Sequence, residues 1–249
     1  MLFDISGKNA LITGASRGLG LGIAKGFAEA GANLILVARN IAPETVSDLE
    51  QYGTKIKAYS LDLAHPERIP AFIENVLAEW GRIDILVNDA GTQRRHDSVE
   101  FPDEDWDWVT TINAKSVFVL CREVGRHMVA NGKGKIINFA SLLSYQGGFR
   151  VPAYAASKGA VMQFTKSLSN EWAAKGVNVN CIAPGYFDTE MNTALIADPV
   201  RNEQITVRIP IGRWGKPSDL VGTAIFLASG ASDYISGITI PVDGGWLGR

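Results

Sequence analysis

Tyr154 and Lys158 stand four residues apart in Ala153-Tyr154-Ala155-Ala156-Ser157-Lys158, and Ser141 precedes the tyrosine by thirteen. On a helix, that spacing puts a phenol and an ammonium on one face. A free tyrosine ionises near pH 10 and exchanges protons poorly at neutrality, but a neighbouring cation favours the phenolate. Bringing the phenol to about pH 7 takes about 4 kcal/mol, within reach of a close, partly desolvated pair. The pattern predicts proton transfer, although a surface Tyr and Lys on an amphipathic helix would share the spacing.

A second group lies near the other end of the chain. The apolar run Ala10-Leu11-Ile12-Thr13 ends in Gly14-Ala15-Ser16-Arg17-Gly18-Leu19-Gly20, and a helical apolar pattern follows. Strand, glycine turn and helix in that order build an anion site: the turn lets a pyrophosphate approach backbone amides at the positive end of the helix dipole. The spacing Gly-x3-Gly-x-Gly differs from the common Gly-x-Gly-x-x-Gly fingerprint.

The elements that must position these groups are legible as a βα alternation. Apolar runs at 9–13, 33–38, 56–61, 83–88, 135–140, 177–183 and 238–242 read as strands, and helical patterns fall at 18–30, 44–52, 66–80, 103–131, 153–175 and 218–227. Such alternation predicts one α/β domain over residues 1–249, a doubly wound parallel sheet of about seven strands with helices on both faces. Gly14, Asn88, Ser141 and Pro184 all follow strand ends, where parallel sheets bind ligands. The stretch 186–213 lacks a strand and is long for a connection, so it reads as a substrate lid with short helices or as a surface excursion.

With these motifs in hand, the chain resembles the short-chain dehydrogenase/reductase family over nearly its whole length. The resemblance is carried by Thr13-Gly14-Ala15-Ser16-Arg17-Gly18-Leu19-Gly20, Asn88-Asp89-Ala90-Gly91, Asn113, Ser141, Tyr154, Lys158 and Pro184-Gly185. It implies a Rossmann-type fold and hydride transfer with a nicotinamide coenzyme. Ser141 would hold the substrate oxygen, Tyr154 exchange its proton, Lys158 bind the nicotinamide ribose and lower the phenol, and Asn113 support a water relay. Asp62 in Leu61-Asp62-Leu63 matches the adenine-binding position, while Ala90, Gly91, Pro184, Gly185 and Thr189 fall in the coenzyme-binding segments. The pattern departs at Asp89, where the family more often has asparagine; a buried carboxyl there must be paired or neutral.

Arg39 occupies the position after the second strand where an acidic residue would accept the ribose hydroxyls of NAD. With Arg17 it could flank a 2′-phosphate, so NADP(H) is favoured and NAD(H) remains possible. Further segments, including Gly91-Thr92-Gln93-Arg94-Arg95, Gly147-Gly148-Phe149-Arg150-Val151-Pro152 and Gly212-Arg213-Trp214-Gly215, resemble sugar-acid members of the family. A carboxylate substrate needs a fixed cation, and Arg150 is the first choice, followed by Arg94 and Arg95. Trp214 could wall the pocket or simply pack. Reductases of acyl-carrier thioesters or aliphatic ketones are the alternative within the family, and a non-catalytic dinucleotide-binding regulator is the alternative outside it.

Composition narrows the remaining classes. The chain is 46% hydrophobic and 20% charged with net charge −2, so neither disorder nor general polyanion binding is indicated, and no basic stripe points to nucleic acid. No long apolar run points to a membrane, which leads to the expectation of a cytoplasmic protein. Cys121 and Cys181 read as small core residues, and His65, His96 and His127 lack the spacing of metal ligands. The resemblance implies a homotetramer.

Overall fold

The computed structural model describes residues 2–249. Seven strands form one parallel sheet in the order β3-β2-β1-β4-β5-β6-β7: β1 Asn9–Thr13, β2 Asn33–Ala38, β3 Ile56–Ser60, β4 Ile85–Asn88, β5 Gly134–Phe139, β6 Val177–Pro184 and β7 Thr239–Val242. The direction of winding reverses between β1 and β4. Their register pairs Thr13 with Asn88 at that switch point, so the carboxyl ends of the two strands finish level and open one crevice.

The central strands are buried on both faces, which is why β1, β2 and β4 read as near-continuous apolar runs, whereas the edge strand β3 is half exposed and β6 alternates Val with Asn at its start. In β1, Leu11 belongs to the core under α3 Ile69–Trp80, α5 Ser116–Ala130 and α6 Pro152–Trp172, whereas Ala10 and Ile12 join the core under α1 Gly18–Glu29 and α9 Ser218–Ala228. Each fully buried Leu or Ile contributes about 1.5–3 kcal/mol relative to exposure. The short α2 Pro43–Glu50 covers the sheet near β2 and anchors through its one buried residue, Leu49.

The helical pattern over 103–131 is not one regular helix. It comprises α4 Asp103–Thr110, a π turn at Thr111–Lys115 and then α5. A π turn widens the ladder by one residue and is common at functional sites. Here it delivers Asn113, fully buried, toward the crevice. Residues 186–213 contain α7 Thr193–Ala197 and α8 Pro199–Arg208. Asp198 caps α8 by accepting from the N–H groups of Val200 and Arg201, and Pro199 takes the first helical position, where its missing N–H costs nothing. A small separate cluster of Leu142, Ile205, Ile209 and Trp246 holds this segment to the body. No helix among the described residues is long and apolar enough to cross a membrane.

Candidate active site

The glycine turn is shaped by close backbone approaches. Gly14 adopts φ +73°, and a Cβ there would stand 2.9 Å from the backbone nitrogen of Ala90; one on Gly20 would run into the carbonyl of Gly14. The Ala90 N–H donates to Thr13 Oγ1 at 3.2 Å, which fixes the β4 turn against the glycine turn. Arg17, the N-cap of α1, offers no side-chain cap to the helix. The first amides of α1 are thus left for an anion, and the half-buried Ser16 lies beside them. Thr189 faces the same turn, its methyl 3.8 Å from where a Gly18 Cβ would lie.

Ser141 follows β5 and begins a short 3-10 turn. Its hydroxyl accepts from the N–H of Leu143 at 3.2 Å, and Ser144 Oγ accepts from the Ser141 N–H at 3.3 Å. Ser144 also donates to the carbonyl of Lys158 at 2.7 Å, so this reciprocal cap ties the serine turn to α6. The Ser-x-x-Ser spacing carried that signal in the sequence, although Ser144 was not singled out. Tyr154 and Lys158 share one face of α6, with the Lys158 ammonium 5.8 Å from the centre of the phenol ring.

The spacing alone predicts that Lys158 lowers the phenol. In this structure its Nζ instead donates to the carbonyl of Phe139 at 2.7 Å, in a buried position. Burial pushes the Tyr154 phenol above its ordinary value, the facing Ser141 hydroxyl pulls it down, and the Asp89 carboxyl pushes it up. Burial likewise draws the Lys158 ammonium down to about 8, opposed by Asp89. Both groups are thus held in surroundings that disfavour their charged forms.

Asn113 is saturated by protein partners. Its Nδ2 donates to the Thr92 carbonyl at 2.8 Å and to Ser157 Oγ at 3.1 Å, while its Oδ1 accepts from the Thr92 N–H at 2.8 Å. Its side chain thus fixes the turn after Gly91 onto α6. Neither Thr92 nor Ser157 was recognisable from sequence, because neither belongs to a spaced motif. The Asn88 side chain is not in the crevice. Its Nδ2 donates to Asn138 Oδ1 at 2.9 Å and Cys121 Sγ at 3.3 Å within the sheet core, while its buried Oδ1 has no hydrogen-bond partner among the described residues. Cys121 and Cys181 are free and buried, their thiols pushed up to about 12 and about 11 by burial, as small core residues should be.

Around the far end of the crevice, Arg39 is exposed and makes no ion pair among the described residues. Together with Asn40, Ile41, Ala58, Tyr59 and Ser60 it lines a cavity of about 290 Å³. Arg17, by contrast, forms an ion pair with Glu190, the start of the 186–213 segment. Half-buried Asp62 uses Oδ1 to accept from the Ala64 N–H at 3.0 Å, and the carbonyl of Leu63 accepts from Ser116 Oγ at 2.6 Å. On the other side of the crevice, Gly185 passes so close to Asp243 that a Cβ would lie 2.6 Å from its Cα, which fixes the turn that follows Pro184.

The three candidate arginines differ in their engagements. Arg94 stacks 4.0 Å over Trp108 and pairs with Asp105, which also binds His96 at 2.7 Å. Arg150 pairs through Nε with Asp97 at 3.0 Å and adopts φ +64°, the one non-glycine residue with positive φ among the described residues. Such strain persists where surrounding structure enforces it, often at ligand sites. Arg95 is exposed and unpaired. Trp214 donates from Nε1 to Asn202 Oδ1 at 2.8 Å and packs edge-on against Tyr186, so it supports the 186–213 segment.

Comparison with known proteins agrees with this geometry. The family described as enoyl-(acyl carrier protein) reductase matches residues 14–247. The chain is 51% identical to a 2-dehydro-3-deoxy-D-gluconate 5-dehydrogenase of Pseudoalteromonas atlantica, covering 99% of this chain and 98% of the relative. It is 42% identical to a 5-keto-D-gluconate 5-reductase of Escherichia coli, with the same coverage. The solved structure of a gluconate 5-dehydrogenase from Burkholderia cenocepacia, in complex with NADP and tartrate, superposes with TM-score 0.94 at 42% identity, covering 99% of this chain and 98% of that one. Matches of this extent, on a chain that gathers Ser141, Tyr154 and Lys158 beside a glycine turn, establish that it belongs to the short-chain dehydrogenase/reductase family.

Proposed function

We propose that this chain is an NADP(H)-dependent oxidoreductase that reversibly transfers hydride between the nicotinamide and a keto or hydroxy sugar acid of the 2-dehydro-3-deoxy-D-gluconate or 2-deoxy-D-gluconate type. The observation that carries the reading is the convergence of Ser141, Tyr154 and Lys158 on the crevice that begins at the Gly14 turn. A binding-only regulator has no physical need for that set.

The residues present fit the coenzyme. The uncapped first turn of α1 would hold the pyrophosphate, Asp62 and Leu63 border the adenine position, and Arg39 beside its open cavity suits a 2′-phosphate. Arg17 can join it only by giving up Glu190. Lys158 would turn from Phe139 to the nicotinamide ribose, and Ala90, Gly91, Pro184, Gly185 and Thr189 would border the nicotinamide half. When bound, the coenzyme supplies or accepts the hydride.

The protein's own part is acid–base and electrostatic. In reduction, Ser141 and the Tyr154 hydroxyl donate hydrogen bonds to the substrate carbonyl, stabilising the negative charge that develops there. Tyr154 then delivers its proton, and in oxidation the phenolate accepts one. Lys158, brought alongside the phenol, favours that phenolate. The strained Arg150, paired through Nε with Asp97, and the exposed Arg95 are the cations available for the substrate carboxylate, while 186–213 serves as the lid. The exposed edge of Phe118 against Phe164, on α5 and α6, supports a homotetramer, and we place the protein in the cytoplasm.

The test is a steady-state panel of keto and hydroxy sugar acids with both nicotinamide coenzymes, read by nicotinamide absorbance. The reading expects turnover of sugar acids, higher kcat/KM with NADP(H) than NAD(H), and loss of efficiency when the carboxylate becomes an uncharged amide. Similar efficiency with acid and amide would favour the ketone or thioester reductase. A 5-keto-gluconate preferred over the deoxy acid would point to gluconate 5-dehydrogenase activity, which the 42% relative makes the second choice.

A further inference from the structure

Asp89 is a carboxyl in the crevice that the hydride mechanism does not use. It follows β4, and its Oδ2 lies against the first turn of α1: a Cβ on Gly20 would come within 2.9 Å of it. The backbone N–H of Gly20 is directed at the carboxyl, and Lys158 faces it from α6. Tyr154, also on α6, is the other titratable side chain that senses it. The first turn of α1 brings no acidic residue, and the π turn brings the neutral, buried Asn113 and the exposed Lys115. Arg17 is drawn away to Glu190, and the Lys158 ammonium is bonded to Phe139, so among the described residues no cation pairs directly with Asp89.

A helix end presents one positive pole, and here two anions compete for it. An ionised Asp89 would hold the Gly20 N–H and place a fixed negative charge beside the site for the pyrophosphate. Like charges sharing a site drive one of them to take a proton. Burial already lifts the carboxyl to about 7, while Lys158 and the Gly20 N–H hold it from rising further. Little is needed to complete the step near neutral pH.

We propose that Asp89 makes coenzyme binding proton-linked: as the pyrophosphate settles on the first turn of α1, the Asp89 carboxyl takes up one proton from solvent and becomes neutral. The asparagine more usual in the family cannot do this. The idea rests on the coenzyme reading above and adds a property to it. Asp89 is a positioning residue whose charge governs how readily the site accepts an anion; it exchanges nothing with substrate.

The experiment measures NADPH binding to the intact protein by calorimetry in pairs of buffers with different ionisation enthalpies, which counts protons taken up. It compares wild type with Asp89→Asn at pH 6, 7.5 and 8.5. The expected result is greater uptake by wild type than by the variant at pH 7.5 and 8.5, with the difference vanishing at pH 6. Wild-type affinity should also fall with pH more steeply than that of the variant, leaving Asp89→Asn about tenfold tighter near pH 8. Independently of any variant, the carboxyl carbon of Asp89 should shift from the ionised to the neutral position in the NMR spectrum when NADPH is added at pH 8. Equal uptake by the two proteins, a carboxyl that stays ionised in the complex, or weaker binding by Asp89→Asn at every pH would each overturn the proposal. Absence of NADPH binding to wild type at all three pH values would overturn the coenzyme reading itself.

Discussion

In the proposed mechanism Tyr154 is the proton donor, and in the coenzyme-free protein burial raises its phenol while Phe139 engages the Lys158 ammonium. Replacement by Phe removes the oxygen while keeping the ring. Tyr154→Phe should therefore bind NADPH with wild-type affinity and lose at least about a hundredfold in kcat, the usual worth of a positioned general acid; near-normal kcat would remove the phenol from the mechanism. The arginines separate by a different measurement. If Arg150 meets the substrate carboxylate, Arg150→Ala should raise KM for the acid at least about tenfold and leave KM for its amide unchanged, whereas Arg94→Ala, whose guanidinium is occupied by Asp105 and Trp108, should affect both little. An equal loss on acid and amide would reassign Arg150 to loop structure. The spacing of Tyr154 and Lys158 was legible because a helix repeats in threes and fours, and Ser141 because it follows the end of an apolar strand. The engagements of Arg94 with Asp105 and Arg17 with Glu190 were not, since their partners lie on segments brought near only by folding.

At the scale of elements, the strands and their order of alternation could be read from apolar runs because the central strands of a parallel sheet are buried on both faces. The π turn at Thr111–Lys115 escaped such a reading, since the apolar pattern continues across it and only the tertiary demand of Asn113 widens the ladder. That turn is the joint between the substrate-side loop and α6. Asn113→Ala would leave the Thr92 N–H and carbonyl without their partners at 2.8 Å, and each orphaned group costs about 1–3 kcal/mol if it stays dry. The expected outcome is a stability loss of about 2 kcal/mol or more by urea unfolding, together with faster amide exchange at Thr92 than at strand residues such as Val87. Unchanged protection at Thr92 would show that the loop is held by its other contacts. Residues 186–213 depend on a smaller core and on the cap at Asp198, so this segment is the part of the fold suited to opening while the sheet stays fixed.

For the whole molecule, the crevice places an acid and a base in surroundings that disfavour the charge of each. Asp89 is raised to about 7 by burial, so between its unfolded value near 4 and that point the folded protein binds more protons than the unfolded one. Stability must then decline as pH rises through this window and level off above it. Lys158 works with the opposite sign: burial lowers it to about 8, so the cost of its charge is fully present below 8 and is relieved as pH climbs toward the unfolded value near 10.5. Both penalties overlap near neutrality, the pH at which the coenzyme would relieve them. In the coenzyme-free protein, the melting temperature of wild type relative to Asp89→Asn should therefore fall between pH 5 and pH 7.5, by about 5 °C, since a domain of this size loses roughly 2–4 °C per kcal/mol. The difference isolates Asp89 from the other titrating groups, because both proteins share them. If the two melting curves stayed parallel across that range, the carboxyl would be as well solvated in the fold as in the open chain, and the crevice would not hold charge under tension before its coenzyme arrives.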